Sequence, residues 1–486
     1  SALEKAGDNR VELEKVLRHC KPDSLKHEAA KFLIANMEGH SFYRFCLLDS
    51  LDNELEIDVL ESPNYEMLCA VFDSVEVEKG ELHWDTTDHQ PDLEFISADY
   101  LIENIDLAFE AWQNRPWASK MTFEQMCEYV LPYRGSSEPL ESWRQYFLDR
   151  YKDLSSQMED PTDPKEAVVL INRDIKTWFT FDPRFYRHPT DQGLSEMLAC
   201  GLGRCEDMTN LAIYAMRANG LGVTSDYTPA WADTGNNHAW NAILIPGLGT
   251  VPFMGGESEP GEYKLDRRMA KAYQKSYAKN YDNPIYLRTN DDEIIPGWLR
   301  GRSYKDVTTN YTPVADVQLK LEEYPEVQFA YLCVFNSGEW TAIHWSEIDN
   351  GDVNFIDMGT DICYLPMYLE DDDLVAAYSS IILQKDGSIR TLVPGDKTET
   401  VIVSSTTRRK LDASTDNIEQ TFLNQGVAYE LFYWDKEWVS LGEQIAGDQA
   451  LQFTDAPQGA LFWMVEKDSR KEERIFTWDG NGQVWW

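Results

Sequence analysis

The chain has 486 residues, 43% of them hydrophobic, and its 16 tryptophans and 24 tyrosines argue against long disordered segments. Its 84 acidic side chains outweigh 44 basic ones, a formal charge of −40, which repels nucleic acid and anionic lipid and speaks against both as partners. No apolar run approaches the roughly 20 residues a membrane-crossing helix needs, and the length predicts about three or four domains with sizeable cores.

The first 155 residues are expected to be mostly helical. Residues 11–19 and 24–38 carry apolar positions at helical spacing, with Pro22, Asp23 and Ser24 as turn and cap and Gly39 as a stop. Ser97 caps a further helix whose inner face is Leu101, Ile102, Ile105, Ala108, Phe109 and Trp112. Residues 66–73 and 81–84 are expected as short strands or an insertion. His40, Trp112, Tyr133, Arg134 and Trp143 either line a cleft or serve as packing and ion-pair partners. The polar segment from Lys152 to Lys165, with Pro161 and Pro164, marks a boundary.

A core domain is expected over residues 156–312. It opens with a helix over 166–179 carrying Val168, Val169, Ile171, Ile175 and Trp178, followed by a loop in which His188 reads as a solvated residue. Gly201 and Gly203 then break the backbone. After them Met208, Leu211, Ala212, Ala215 and Ala218 recur at helical spacing, and Gly220 supplies the stop. Cys205 thus sits at a helix mouth, where unpaired N–H groups and the positive end of the macrodipole favour thiolate, and Arg204 adds to that. His238 opens a predicted strand and completes a nucleophile–base pair. Trp231 and Trp240 flank it as candidate substrate walls, with core packing as the alternative. Cys20, Cys46, Cys69, Cys127, Cys200, Cys333 and Cys363 carry no ligand spacing and read as inert, and their scatter allows disulfides without demanding them. The tyrosine-rich stretch 266–312 is expected to wrap the core.

From residue 313 the apolar period becomes two. Val317, Leu319 and Leu321 alternate with polar residues, and Asn336-Ser337-Gly338 and Asp386-Gly387 read as hairpin turns. The chain also repeats itself: Phe329–Ile343 aligns without gaps on Val427–Leu441, and the same offset places Phe355-Ile356-Asp357 on Phe453-Thr454-Asp455. The expectation is two tandem β-sandwich modules, 313–400 and 401–486. Trp340, Trp345, Trp434, Trp438, Trp478, Trp485 and Trp486 either stack on sugar rings or fill the sandwich cores.

Gly203-Arg204-Cys205, the helix end at Arg217–Gly220, and His238-Ala239-Trp240-Asn241 together resemble the transglutaminase-like superfamily of papain-type folds. Segments 27–37, 98–109, 127–134 and 304–311 further resemble multidomain transglutaminase-like proteins of gut Bacteroidetes. The resemblance implies an α+β chain: a transglutaminase-like core, a mostly helical N-terminal domain (1–155) and the two β-sandwich modules. It also implies an extracytoplasmic location, periplasmic or cell-surface, as a secreted protein or a lipoprotein trimmed of its anchor; the opening Ser1–Leu17 is neither a signal peptide nor a start methionine and fits a processed product.

The family usually carries an Asp on the strand after the histidine, in a Val-Pro-x-Asp context, to hold the imidazole. Here Met254 occupies the aligned position. Glu257 from the following turn, or Asn241 as an amide orienter, are the substitutes the sequence offers. Two functions remain open. One is a cysteine-dependent hydrolase or acyl transferase acting on a peptide, protein or glycopeptide amide through Cys205 and His238. The other is a catalytically degraded scaffold that binds glycans or peptides at the cell surface. No cofactor or metal is expected: the chain has no His-Glu-x-x-His, no Cys/His cluster and no phosphate-binding glycine loop.

Overall fold

The computed structural model describes residues 1–407, 421–467, 469 and 473–486. Helices Arg10–Cys20, Ser24–Asn36 and Ala98–Asn114 form where the apolar spacing predicts them. Asp23 and Ser97 cap the last two by accepting backbone N–H bonds. Leu13, Leu33, Leu101, Ile105 and Phe109 meet in one cluster with Val130 and Tyr133.

Residues 66–73 are not strand. They belong to helix Tyr65–Lys79, capped by the Asn64 side chain on Met67 N–H, with Leu68, Cys69 and Phe72 buried on one face. A strand does follow at His83–Pro91 and pairs antiparallel with Ser41–Leu48. Helix Arg144–Arg150 and its flanks bring Trp143, Phe147, Tyr151 and Leu154 into the same cluster as Cys205 and Met208.

At the centre, helix Cys205–Ala218 lies against a five-stranded sheet. The strand order is Tyr304–Asp306, Tyr273–Lys275, Val223–Thr228, His238–Ile245, Gly249–Phe253, all antiparallel. Its other large support is helix Pro164–Lys176, whose Val168, Ile171 and Ile175 are fully buried. No described helix is long and apolar enough to cross a membrane.

The internal repeat is a repeat of topology. In the first module strands run in the order Glu339–Glu347, Phe329–Asn336, Ile362–Glu370, Ile381–Leu383, Ile389–Thr391, with Val314–Lys320 paired on Asp352–Gly359 in a second sheet. The second module repeats this with Glu437–Ile445, Ala428–Asp435, Leu461–Glu466, Ile475–Trp478, Gln483–Trp485, and with Thr398–Val403 on Leu451–Pro457. Even the register break recurs: it precedes Val317, opposite Phe355, in one module and Val401, opposite Phe453, in the other. Thr398–Val403 belongs to the second module, so the seam expected at 400 falls inside that strand and lies before residue 398. Ser337 and Gly338 both have positive φ, as a two-residue hairpin turn requires.

Several of the tryptophans are taken up in packing. Trp340, Trp434, Trp438 and Trp463 pack with Phe335 at ring separations of 5.0 to 5.6 Å, joining the two modules. Trp485 packs on Phe476, and Trp486 lies against the Arg268 and Arg390 guanidinium groups.

Candidate active site

The start of the Cys205 helix is fixed by close backbone approach. Leu202–Gly203 pairs parallel with Thr180–Phe181, and a Cβ at Gly203 would sit 2.6 Å from Asp207 Cβ and 2.8 Å from Phe179 Cζ. Only glycine fits. Asp207, in the first turn, accepts the N–H groups of Arg204 and Gln192, each at 2.9 Å. These bonds hold the residue before the cysteine extended and present Cys205 as the first helical residue.

The thiol is not a thiolate at rest. Cys205 is 2% exposed, and burial, reinforced by the neighbouring Glu206 carboxylate, pushes its pKa well above the ordinary thiol value. Sγ donates to Glu206 Oε2 at 2.9 Å. The Ala239 N–H and the Arg204 guanidinium pull the other way, more weakly. Arg204 does not serve the sulfur directly: it pairs with Asp191 at 2.7 Å and stands 3.8 Å from Glu206. The helix-terminus argument from sequence is therefore outweighed by desolvation and by a carboxylate one residue away.

His238 opens its strand as expected. Its Nε2 lies 2.5 Å from the Tyr263 hydroxyl, and its ring stacks on Trp231 at 5.9 Å. Burial lowers the imidazole pKa, and Glu206 opposes that. The Tyr263 hydroxyl is held protonated by burial and by the nearby Glu257 and Cys205. Cys205, Glu206, His238 and Tyr263 thus form one electrostatically connected group.

The two proposed substitutes for the missing Asp do not hold the imidazole. Asn241 is fully buried, and its amide donates to the carbonyls of Thr209 and Thr224 and accepts from Gly255 N–H. It ties helix to sheet. Glu257 is exposed, and its backbone carbonyl accepts from Lys176. Met254 is buried in the core cluster and presents no polar atom to His238. Trp240 is also fully buried, packed edge-on against Tyr311, and is a core residue rather than a substrate wall. Trp231 is 7% exposed and touches the site through the imidazole face.

Sequence reasoning missed Glu206 and Tyr263. Glu206 is legible in retrospect, because a carboxylate next to a helix-opening cysteine must act on it. Tyr263 is not, since it arrives from a turn beyond the strand with no fixed spacing. His188 bonds Thr190 O and Glu196, so it is a loop brace away from this group. His40 and Arg134 line a separate cavity, while Tyr133 is packed and Trp143 stacks on Tyr214. Among the described residues, which include all eight cysteines, no disulfide is formed.

The loop leading into His238 is braced by both β modules. Asn336 donates to the carbonyls of Trp231, Thr234 and Asn236 and accepts from Asn236 N–H. Arg474 of the second module reaches the carbonyls of Ala232 and Phe335.

No curated protein matches the chain. Among solved structures, a candidate cysteine protease from Cytophaga hutchinsonii is 12% identical over 35% of this chain, with a TM-score of 0.19; the alignment spans 64% of that protein's length. Red sea bream transglutaminase is 11% identical over 79% of this chain and 74% of its own, with a TM-score of 0.22. Residues 152–253 match the family model of the transglutaminase-like superfamily, a span that contains Cys205, Glu206 and His238. This chain therefore carries a transglutaminase-like domain at residues 152–253.

Proposed function

We propose that the protein is a cysteine-dependent hydrolase or acyl transferase acting on a peptide or glycopeptide amide, with Cys205 as nucleophile and His238 as base. The observation that carries this reading is the Tyr263 hydroxyl on His238 Nε2. In the tautomer whose Nε2–H donates to the Tyr263 oxygen, Nδ1 carries the lone pair and is the proton acceptor. With the thiol neutral at rest, attack and deprotonation are coupled. As Sγ bonds to the amide carbon, the thiol proton passes to His238, and the carbonyl π pair moves onto oxygen. The Cys205 backbone N–H, at the helix start, donates to that oxyanion in this scheme. Collapse breaks the C–N bond, His238 returns the proton to the leaving amine, and a thioester remains. Water then releases an acid, or a second amine releases a new amide. Access to a sulfur with 2% exposure requires a neighbouring side chain to swing aside.

The test is to incubate the protein with a mixture of peptide and glycopeptide amides, with and without a labelled primary amine, and look for acyl-Cys205 by mass spectrometry. An acyl adduct absent in Cys205→Ala supports the reading, and label incorporation against acid release separates transfer from hydrolysis. A second reading, a binding scaffold without catalysis, is favoured by Met254 standing where the family has an Asp. It predicts no acyl adduct, and peptide or glycan binding equal in Cys205→Ala and the native protein.

A further inference from the structure

A cavity of about 230 Å³ lies between the helical N-terminal region and the sheet that carries His238. Its floor is the side of the sheet bearing Ser225, Tyr227 and Lys275, and its walls are the segments around His40, Ser136 and Arg302. In a chain with 84 acidic residues, no aspartate or glutamate is among the described residues that line it. That reversal of local charge is the first sign of an anion site.

The cations present are not equal. Arg134 is spent on Asp92 and the Glu138 carbonyl, and Arg217 on the carbonyls of Val223, Pro132 and Arg134. Arg302 stands 3.6 Å from Glu38. Lys275 differs: Nζ donates to Ser136 Oγ at 2.7 Å and, among the described residues, has no carboxylate within ion-pair distance. The carboxylate its charge reaches, Asp191, is already paired with Arg204. One available ammonium is suited to one carboxylate. A phosphate dianion recruits forked guanidinium donors, and those of Arg134 and Arg217 are already occupied.

Two further features specify more than charge. Ser225 and Ser303 line the cavity, and their buried hydroxyls have no hydrogen-bond partner among the described residues; Ser225 is 2% exposed. A buried hydroxyl left unpaired is costly, so each is a position where a ligand hydroxyl gains a bond. Tyr227 and Trp298 form an aromatic wall, with rings 5.3 Å apart, and Trp298 is 42% exposed at the rim. Such a wall takes the apolar face of a flat, hydroxylated ring.

We propose that this cavity binds a sugar-sized, hydroxylated monocarboxylate, with its carboxylate on Lys275 and Ser136, its hydroxyls on Ser225 and Ser303, and its ring face on Tyr227 and Trp298. The volume admits one such unit and no more. The site is separate from Cys205, so it stands or falls apart from the proposed amide chemistry.

Calorimetric titration of the full chain with D-glucuronate, D-glucose, acetate and inorganic phosphate tests it. The expected result is saturable binding of one glucuronate, with glucose and acetate each at least tenfold weaker. Lys275→Met should weaken glucuronate at least tenfold, and Trp298→Ala, at a rim position that tolerates change, several-fold. Cys205→Ala should leave it intact. If Lys275→Met does not fold, Trp298→Ala and Ser225→Ala carry the test. The proposal is overturned if glucuronate gives no saturable binding, if the folded variants bind it unchanged, or if acetate or phosphate binds as tightly.

Discussion

The Tyr263 hydroxyl lies 2.5 Å from His238 Nε2. A phenol is a weaker partner for an imidazolium than a carboxylate, because it brings no full negative charge. The charge is supplied from the other side, by Glu206. Orientation and electrostatic support, combined in one Asp elsewhere, are here divided between two residues. Tyr263→Phe should therefore cost about 100-fold in amide turnover, less than the loss on removing Cys205, since losing an orienter slows a triad enzyme without abolishing it. Turnover in Tyr263→Phe equal to wild type would show that the imidazole is held by packing on Trp231 alone.

Glu206 has two opposed effects. It accepts the Cys205 thiol proton at 2.9 Å, which stabilises the neutral thiol, and it favours the charged imidazole. Glu206→Gln should lower the thiol pKa and raise the rate of iodoacetamide alkylation at pH 7 by about tenfold for each pKa unit lost, while thiolate remains the minor form. Amide turnover should fall in the same variant, because the imidazolium formed during attack loses its counter-charge. Alkylation unchanged from wild type would mean that desolvation alone sets the thiol, with Glu206 a bystander.

How much of this was legible in the chain differs by residue. The helix start at Cys205 and the strand start at His238 were readable because both leave local marks: Gly203 before one, the His238-Ala239-Trp240-Asn241 segment at the other. The tandem modules were readable because one offset of sequence preserved strand order and register break alike. Asn241 misled, since an amide three residues after the histidine is as close in sequence as an orienter needs to be. Alternation along a strand sends odd- and even-numbered side chains to opposite faces, and Asn241 joins the helix at Thr209 instead. The thiol state misled for another reason: a helix terminus contributes at most about 2 kcal/mol, whereas burial depends on residues far away in sequence. Residues 66–73 were ambiguous because a short apolar run fits strand and helix equally until the Asn64 cap is weighed.

Asp226 offers a test of the sheet's other face. It is fully buried among Tyr311, Gln274 and Thr224, and desolvation raises its carboxyl pKa from 3.8 to about 6. The folded state then binds a proton more tightly than the unfolded chain. Its charge costs stability above pH 6, and that cost is relieved as pH falls from about 6 towards 3.8. The shift corresponds to about 3 kcal/mol as an order of magnitude. Half-buried His40 and His238 and buried His344, whose pKa values are lowered, act in the opposite sense below their ordinary range. Comparing wild type with Asp226→Asn removes their common contribution. The difference in urea midpoint between the two proteins should shift in favour of wild type between pH 7 and pH 4. A difference independent of pH would show that Asp226 does not titrate in this window.

Asn336 makes the strongest case that the β modules serve the site. It is 8% exposed, and its amide makes four hydrogen bonds to the loop from Trp231 to Asn236, which delivers His238 to its strand. That loop turns through Asn236 at φ 72°, a conformation asparagine tolerates but does not strongly prefer. Without Asn336 the carbonyls of Trp231 and Thr234 and the Asn236 N–H lose this partner, while the Asn236 carbonyl keeps the Trp231 N–H, at roughly 1–3 kcal/mol for each group left unpaired and buried. The loop is therefore expected to open rather than the sandwich to unfold. Asn336→Ala should lower kcat at least tenfold and speed hydrogen exchange across residues 231–237, with the melting of the β modules little changed. Asn336→Asp keeps the acceptor for Asn236 N–H and loses the donors, so it should fall between. If both variants exchange this loop at the wild-type rate, the modules support the core without positioning His238.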